Sequence, residues 1–338
     1  MDSLGTPKAE LVLCNQDLLE IIASHVDSSS QFAFRMVSAR WWRAMPAGKT
    51  RSTVRPSIDS FNYLRWANET GWWWTACTAE RMAITGRLGV LKWARAHGCP
   101  WDKRTCSAAS MGGYLDVLQW ARAHGCPWDR SETCEGAALG GHLELLQWVH
   151  ANWNAWILDR CVTWIIGKCA PWSTWDCRLC ENAAHGGHLS TLQWARAQGC
   201  PWDEQTCALA ALGGHLDVLQ WARVQGCPWD EQTCSLAALS GHLDVLQWAR
   251  ARGCPWDKDT CACAARGGNL DVLVWAHSHG CPWNEHTCSS AAMYGNIGVL
   301  QWVRAHGCPW DKWTRANAEQ EGHNDVLEWA RANGCPPY

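Results

Sequence analysis

Phenylalanine and tyrosine are nearly missing from this chain, with three and four copies in 338 residues. A core that draws its bulk from those two aromatics is therefore excluded. Charge is also scarce. Charged residues make up 18% of the chain and the net charge is -3, which gives no global electrostatic drive toward nucleic acid or an anionic membrane. No apolar run approaches the ~20 residues that span a bilayer. The N-terminus lacks the basic-then-apolar order of a secretory signal. These absences predict a soluble, intracellular, cytoplasmic protein whose cysteines are reduced thiols. A phosphate-binding loop, a Gly-x-Ser-x-Gly elbow and a convergent acid pair are missing as well. No catalytic residue and no cofactor is expected, and the protein is not expected to be an enzyme.

What is present is a repeat. Tryptophan occurs 28 times and cysteine 21 times, a bias that one copied module produces and scattered positions do not. Leucine, Trp, Cys and Ala are left to fill the core. Gly-Cys-Pro-Trp begins at Gly98, Gly125, Gly199, Gly226, Gly253, Gly280 and Gly307, and returns as Gly-Cys-Pro-Pro at Gly334. The steps from Gly199 onward are 27 residues each. A fixed period of this size means stacked units, each burying its apolar face only against its neighbours.

One unit, Trp202 to Pro228, can be read residue by residue. Asp203 stands where an N-cap belongs, ahead of a short helix carrying Cys207, Leu209, Ala210 and Ala211. Gly213-Gly214 ends that helix and allows a tight reversal. A second helix starts near His215-Leu216, with Asp217 favourably placed for its dipole. Leu216, Leu219 and Trp221-Ala222 recur near helical spacing. Gly226 is a stop signal and Pro228 prevents continuation. Each unit is thus helix, Gly turn, helix, capped loop, and about nine of them are expected.

The register extends backward: Phe61, Leu64, Trp66 and Gly71 lie 27 residues before Leu88, Leu91, Trp93 and Gly98, so Ser60–Trp73 reads as the second half of an opening repeat. It breaks once. Between Trp148 and Trp175-Asp176 the chain is about 19 residues longer than one repeat. Residues 153–174 there, with Leu158, Asp159, Trp164, Pro171 and Trp172, read as a degenerate half-repeat that kinks or interrupts the stack. In the last unit, 315–338, Ala318-Glu319-Gln320-Glu321 is polar where inner units are apolar, as a C-terminal cap requires.

The block Thr206-Cys207-Ala208-Leu209-Ala210-Ala211-Leu212-Gly213-Gly214-His215-Leu216-Asp217-Val218-Leu219 resembles the ankyrin signature. The resemblance runs from Ser60 to the C-terminus and implies an all-α, ankyrin-like helix-turn-helix solenoid that binds proteins. The units are shorter than the family's, mainly in the loop, so its projecting hairpin fingers should be short or absent. Before the repeats, Leu13, Asp17-Leu18-Leu19, Ile22, His25-Val26, Phe32, Phe34, Val37-Ser38 and Trp41-Trp42-Arg43 resemble the F-box motif. Cys14 stands where that motif has proline. A small N-terminal helical F-box-like segment over residues 1–50 is therefore expected. The resemblance implies that Leu13, Leu18, Leu19, Ile22, Val26 and Phe32 dock on the Skp adaptor of cullin–RING ubiquitin ligases. The pairing of the two resembles protein families encoded by giant DNA viruses, which would place the protein in a host cytoplasm.

Several residues invite chemistry that packing explains better. Cysteine recurs twice per unit and histidine at His142, His188, His215, His242 and His323, yet a periodic ladder spreads these groups along an axis. Zinc needs four donors at one point. No metal is expected, and Cys177 and Cys180, although a Cys-x-x-Cys pair, have no second pair to complete a site. The position after the Gly turn also holds Tyr114, Asn269 and Asn296, so hydrogen bonding to the turn suits it better than catalysis. Trp221 and Trp229 read as inter-repeat core rather than a base-stacking platform.

Positions that vary between copies are free to face a partner. They fall just after the Asp cap, at Lys103-Arg104, Glu204-Gln205, Glu231-Gln232, Lys258-Asp259, Glu285-His286 and Lys312-Trp313. Others fall along the first helix, at Met111, Leu139, His185, Leu212, Leu239, Arg266 and Met293. They are expected to line a concave strip that binds a protein target; the alternative is plain solvated surface. The leading functional expectation is a substrate-recruiting adaptor for a ubiquitin ligase. A second is a scaffold whose N-terminal helices only cap the stack. A third, a nucleic-acid binder, rests on the basic run Arg35, Arg40, Arg43, Lys49, Arg51 and Arg55 alone, a run short and diluted enough to be a solvated linker.

Overall fold

The computed structural model describes residues 74–160 and 178–337. The chain divides into Met1–Trp74 and Thr75–Tyr338, so the F-box-like residues, the Arg35–Arg55 run and the half-repeat Ser60–Trp73 lie outside the described residues. The described part is all-helical. Its 18 helices form nine antiparallel pairs: α1 (Ala76–Ile84) with α2 (Leu88–Ala96), α3 (Lys103–Met111) with α4 (Leu115–Ala123), and α5 (Arg130–Leu139) with α6 (Leu143–Arg160). After the undescribed residues 161–177 come α7 (Arg178–His185) with α8 (Leu189–Ala197), α9 (Glu204–Leu212) with α10 (Leu216–Val224), and α11 (Glu231–Ser240) with α12 (Leu243–Ala251). The last three are α13 (Lys258–Gly267) with α14 (Leu270–Ser278), α15 (Glu285–Met293) with α16 (Ile297–Ala305), and α17 (Lys312–Gln320) with α18 (Asn324–Ala332). No strand occurs among the described residues. This is the stack of helix-turn-helix units that the periodicity predicts, and it agrees with the all-helical solenoid that the resemblance implies.

Local signals explain each boundary. Asp203 is the N-cap of α9, its carboxylate accepting from the Gln205 amide at 3.1 Å; Asp102, Asp230, Asp257, Asn284 and Asp311 do the same for their helices. Helix α9 ends in a Schellman turn, in which the His215 amide donates to the Ala210 carbonyl at 2.9 Å and the Gly214 amide to Ala211 at 3.2 Å. Helix α10 ends the same way around Gly226, with Cys227 donating to Ala222 and Gly226 to Arg223. Both reversals place a glycine in the left-handed region, Gly214 at φ +74 and Gly226 at φ +82.

First helices pack directly on first helices of the next unit, α9 on α11, α11 on α13, α13 on α15. Their contacting faces are small. In the unit from Asp203, Thr206, Cys207, Ala208, Ala210 and Ala211 of α9 are fully buried, joined by Val218, Leu219 and Ala222 of α10 and by Cys227 of the loop. Tryptophan does not belong to this core. Outside residues 153–160, every described Trp is half-buried or exposed, because helices brought together on Ala and Cys leave no room for an indole. The Trp residues instead clad one flank and still bridge units. The Arg223 guanidinium lies 4.1 Å over the Trp229 ring of the following unit, and Trp229 meets Trp248 edge-on at 6.0 Å. Arg223 also donates to the Cys227 carbonyl. The arrangement repeats at Arg95 with Trp101, Arg196 with Trp202, Arg250 with Trp256 and Arg304 with Trp310.

Most of the half-repeat expected over residues 153–174 lies outside the described residues. Helix α6 runs on to Arg160, and beyond residues 161–177 helix α7 packs on α5 as other first helices pack on theirs. Across that join, His188 Nε2 donates to the Leu139 carbonyl at 3.0 Å over 49 residues. In the last unit Ala318 stays buried while Glu319, Gln320 and Glu321 are exposed, at the register of the buried Ala292 and its followers.

The two left-handed glycines differ in surroundings. A Cβ at Gly214 would lie 2.5 Å from the His242 ring, whereas one at Gly226 would meet nothing within 4 Å. Gly226→Ala is expected to cost the backbone term alone, ~1–2 kcal/mol. Gly214→Ala is expected to cost ~1–3 kcal/mol more for displacing the packed ring. Chemical denaturation of the two variants checks the order.

Candidate interaction surface

The surface has to be built from the turn outward, because the turn holds one unit against the next. At the position after the glycines, His215 Nε2 donates to the His185 carbonyl of the preceding unit at 3.1 Å. His142 reaches the Met111 carbonyl at 3.0 Å and His323 the Met293 carbonyl at 3.1 Å. Asparagine performs the task twice. Asn269 Nδ2 donates to Ala238 and Leu239 at 3.0 and 2.8 Å, and Asn296 Nδ2 to Ala265 and Arg266 at 2.9 and 3.0 Å. His242 lays its ring over Gly214, and Tyr114 lays its ring over Gly86. At His142, His188, His215, Asn269, Asn296 and His323 the side chain expected to bond the turn does so, and the turn is that of the neighbouring unit.

Apart from Ala238 and Ala265, the accepting residues are Met111, Leu139, His185, Leu239, Arg266 and Met293, six of the seven first-helix positions that vary between copies. The backbone of each is fixed by the inter-unit bond. The side chain is not: Met111 is 43% exposed, Arg266 is exposed, and Leu139, His185, Leu212, Leu239 and Met293 are half-buried. A carbonyl-based lock leaves the side-chain identity open.

The second varying set follows the caps. Lys103, Arg104, Glu204, Glu231, Gln232, Lys258, Asp259, His286 and Lys312 are exposed, Trp313 is 55% exposed, and Gln205 and Glu285 are half-buried. These residues form a row along the N-terminal ends of successive first helices, and parts of the row are knitted together. Gln205 Nε2 donates to Gln232 Oε1 of the next unit at 2.9 Å, and Lys103 pairs with Glu132 of the next unit at 2.6 Å. Arg104 lies 3.7 Å from Glu80 of the unit before and 2.8 Å from its own cap, Asp102. The Arg104 guanidinium beside Asp102 holds that carboxyl below its usual range. Such exposed pairs contribute about 0.2–1 kcal/mol each, so they organise the row more than they stabilise it.

The structure adds residues that the repeat reading passed over. Tyr294 replaces the first turn glycine, is 45% exposed, and lies under the Arg266 guanidinium at 4.9 Å. Ile84 and Tyr114 are also exposed, at 40% and 36%. The sign of Tyr294 in the sequence is an aromatic residue at a turn position that elsewhere holds Gly or a small or polar residue, as at Thr85, Ser240 and Glu321. Among the described residues, no group of three or more His, Cys, Asp or Glu converges where a metal ion could be held. No helix among them is long and apolar enough to cross a membrane.

No protein-family model and no curated protein matches the chain. Among solved structures, the crystal structure of the human ASB11 ankyrin repeat domain is similar over 52% of this chain and 84% of its own length, at 15% sequence identity and a TM-score of 0.38.

The separation of locked backbone from free side chain is testable in one unit. Asn296→Ala removes both donors to the Ala265 and Arg266 carbonyls and is expected to destabilise by ~1–3 kcal/mol. Arg266→Ser leaves the carbonyl in place and is expected to change stability by no more than ~0.5 kcal/mol. Thermal melts of both variants decide it.

Proposed function

We propose that the solenoid is a protein-interaction module and that its target lies along the first helices. The observation that carries this reading is the coincidence of exposure and variation. The cap-following pairs and the Met111-to-Met293 row differ from copy to copy and are exposed or half-buried, while six residues of the row accept, on their carbonyls, the bonds that join units. A partner that follows the row meets a different set of side chains at each 27-residue step, which is how a repeat array encodes specificity. Mixed charge along the row, Lys103-Arg104 at one end and Glu204 and Glu231 in the middle, suits a protein partner better than a polyanion, whose phosphates would need one sign throughout.

The finer part of the proposal concerns the N-terminal segment. Its resemblance to an F-box supports docking of Leu13, Leu18, Leu19, Ile22, Val26 and Phe32 on a Skp-type adaptor, with the solenoid selecting what is delivered to a ubiquitin ligase. The support is the spacing of those residues in the sequence.

Charge reversal on the two faces of the stack tests the solenoid's role. In the full chain, Glu204→Lys with Glu231→Lys is expected to weaken capture of the bound protein at least tenfold, about 1.4 kcal/mol. Asp217→Lys with Asp244→Lys, on exposed positions of second helices, is expected to leave it unchanged. Equal loss from both faces would remove the assignment to the first helices. Leu18→Asp with Ile22→Asp is expected to abolish Skp-adaptor binding in a pull-down without lowering the repeats' melting temperature; retained binding would overturn the adaptor role.

A further inference from the structure

The cysteines of each unit are not scattered through the core but paired. The thiol of Cys207 in α9 lies beside that of Cys227 in the loop that closes the same unit, close enough for each to act on the other's proton. The same contact joins Cys106 to Cys126, Cys180 to Cys200, Cys234 to Cys254, Cys261 to Cys281, and Cys288 to Cys308. Each pair is separated by 20 residues and all twelve thiols are buried, eleven of them completely. The loop member is held in place from its other side. Cys227 Sγ donates to the Asp203 carbonyl at 3.4 Å, and Cys254, Cys281 and Cys308 make the equivalent bond at 3.3–3.4 Å. The helix member also leans on the loop, Cys261 Sγ reaching the Cys281 carbonyl at 3.9 Å and Cys180 Sγ the Cys200 carbonyl at 4.0 Å.

Two touching thiols in a dry core can be converted only into something neutral. The partner thiol and burial push the helix cysteines far above the ordinary thiol range, so a product that keeps two thiolates in the core, such as a cuprous or zinc complex, is disfavoured there. A disulfide carries no charge and takes no added volume.

We propose that these six pairs are latent disulfides that close within each unit when the protein meets a small disulfide oxidant, stapling the first helix to the exit loop. The chemistry is thiol–disulfide exchange. One cysteine, deprotonated as its unit opens, attacks the oxidant's S–S bond and releases one small thiol. The second cysteine then attacks the mixed disulfide and releases the other. The two electrons pass to the oxidant's sulfurs, which take up the two protons given up by the cysteines, so the oxidant ends as two free thiols and no net proton is released. In a reducing compartment the pairs remain thiols and the fold stands without them.

The protein contains its own controls. Cys99 faces Ala79 at the paired register, and burial alone pushes its thiol up to about 11. Cys335 faces Arg315, which donates to its carbonyl at 3.4 Å. Cys134, pushed by burial up to about 12, belongs to the unit whose second helix continues to Arg160 in place of a Cys loop. These three have no partner at the 20-residue spacing. A competing geometry also exists, since Cys180 senses Cys227 of the next unit as well as Cys200 of its own.

The test is to incubate the full native chain with oxidised glutathione and block remaining thiols under denaturant. Peptides are then mapped without reduction. Linked peptides 106–126, 180–200, 207–227, 234–254, 261–281 and 288–308 are expected, with Cys99, Cys134 and Cys335 outside any of them. The melting temperature should rise and return to its starting value with dithiothreitol. Links dominated by neighbouring units, such as 180–227, or twelve thiols that all remain blockable, would overturn the proposal, as would a melting temperature that falls on oxidation. Arg315→Cys supplies a second arm by placing a thiol opposite Cys335. A new link between positions 315 and 335 is expected, and its absence in a variant that keeps the helical content of the parent counts against the pairing.

Discussion

Everything in the repeats depends on one contact, the side chain after the glycine turn reaching back to a carbonyl of the unit before. His215 sits on Gly187 and bonds His185, and a Cβ at Gly187 would fall 2.4 Å from its ring. The glycines therefore do two things at once. They supply the left-handed backbone of the turn, and by lacking a side chain they let the next unit's ring close over the turn. Once that distance is set, the first helices stand close enough that only small residues fit between them. A solenoid's stability is roughly a sum over such joints, so the joint matters more than the content of any one unit.

The small core has a consequence at the flank. Ala, Cys and Thr on the first helices leave no space for the indoles, and the Trp residues move outside to a half-wet surface where their faces would be exposed. Arg takes up that exposure. Its guanidinium carbon lies 4.0–4.6 Å over Trp rings from Trp101 to Trp310, where a cation–π contact contributes about 0.5–1 kcal/mol, and the same group donates to the loop carbonyl. His277 fills the role in one unit by stacking on Trp283 at 3.6 Å. There, burial lowers its pKa, with His306 adding to the shift.

Local rules made much of this visible from the residues alone. Asp203 as a cap, Gly213-Gly214 as a reversal, Gly226 as a stop and the 27-residue period each depend on chemistry within a few residues, and each stands where the pattern places it. What local rules do not carry is the partner of a side chain in another unit. Nothing near His215 says that its acceptor lies 30 residues back, and the spacing that links His188 to Leu139 is hidden by the irregular connection. The thiol pairs are concealed for the same reason: 20 residues is neither a helical nor a strand interval, and it becomes meaningful only after the two helices fold back. The Trp ladder misled because periodic large apolar residues ordinarily mark a core, and here the smaller residues claimed it first.

The varying positions acquire a physical reason from the same contact. At Met111, Leu139, His185, Leu239, Arg266 and Met293 the unit-to-unit bond lands on a carbonyl, an atom that every residue type provides. Substitution there leaves the joint intact. A Gly, an Ala of the first helix or the turn His or Asn has no such freedom, since each is held by contacts of its own side chain or by the lack of one. The stack therefore sorts its residues into those that set the distance between units and those that can change with the partner, and every member of the second group keeps its side chain exposed or half-buried. A surface built on backbone acceptors can be rewritten unit by unit without loosening the array that presents it.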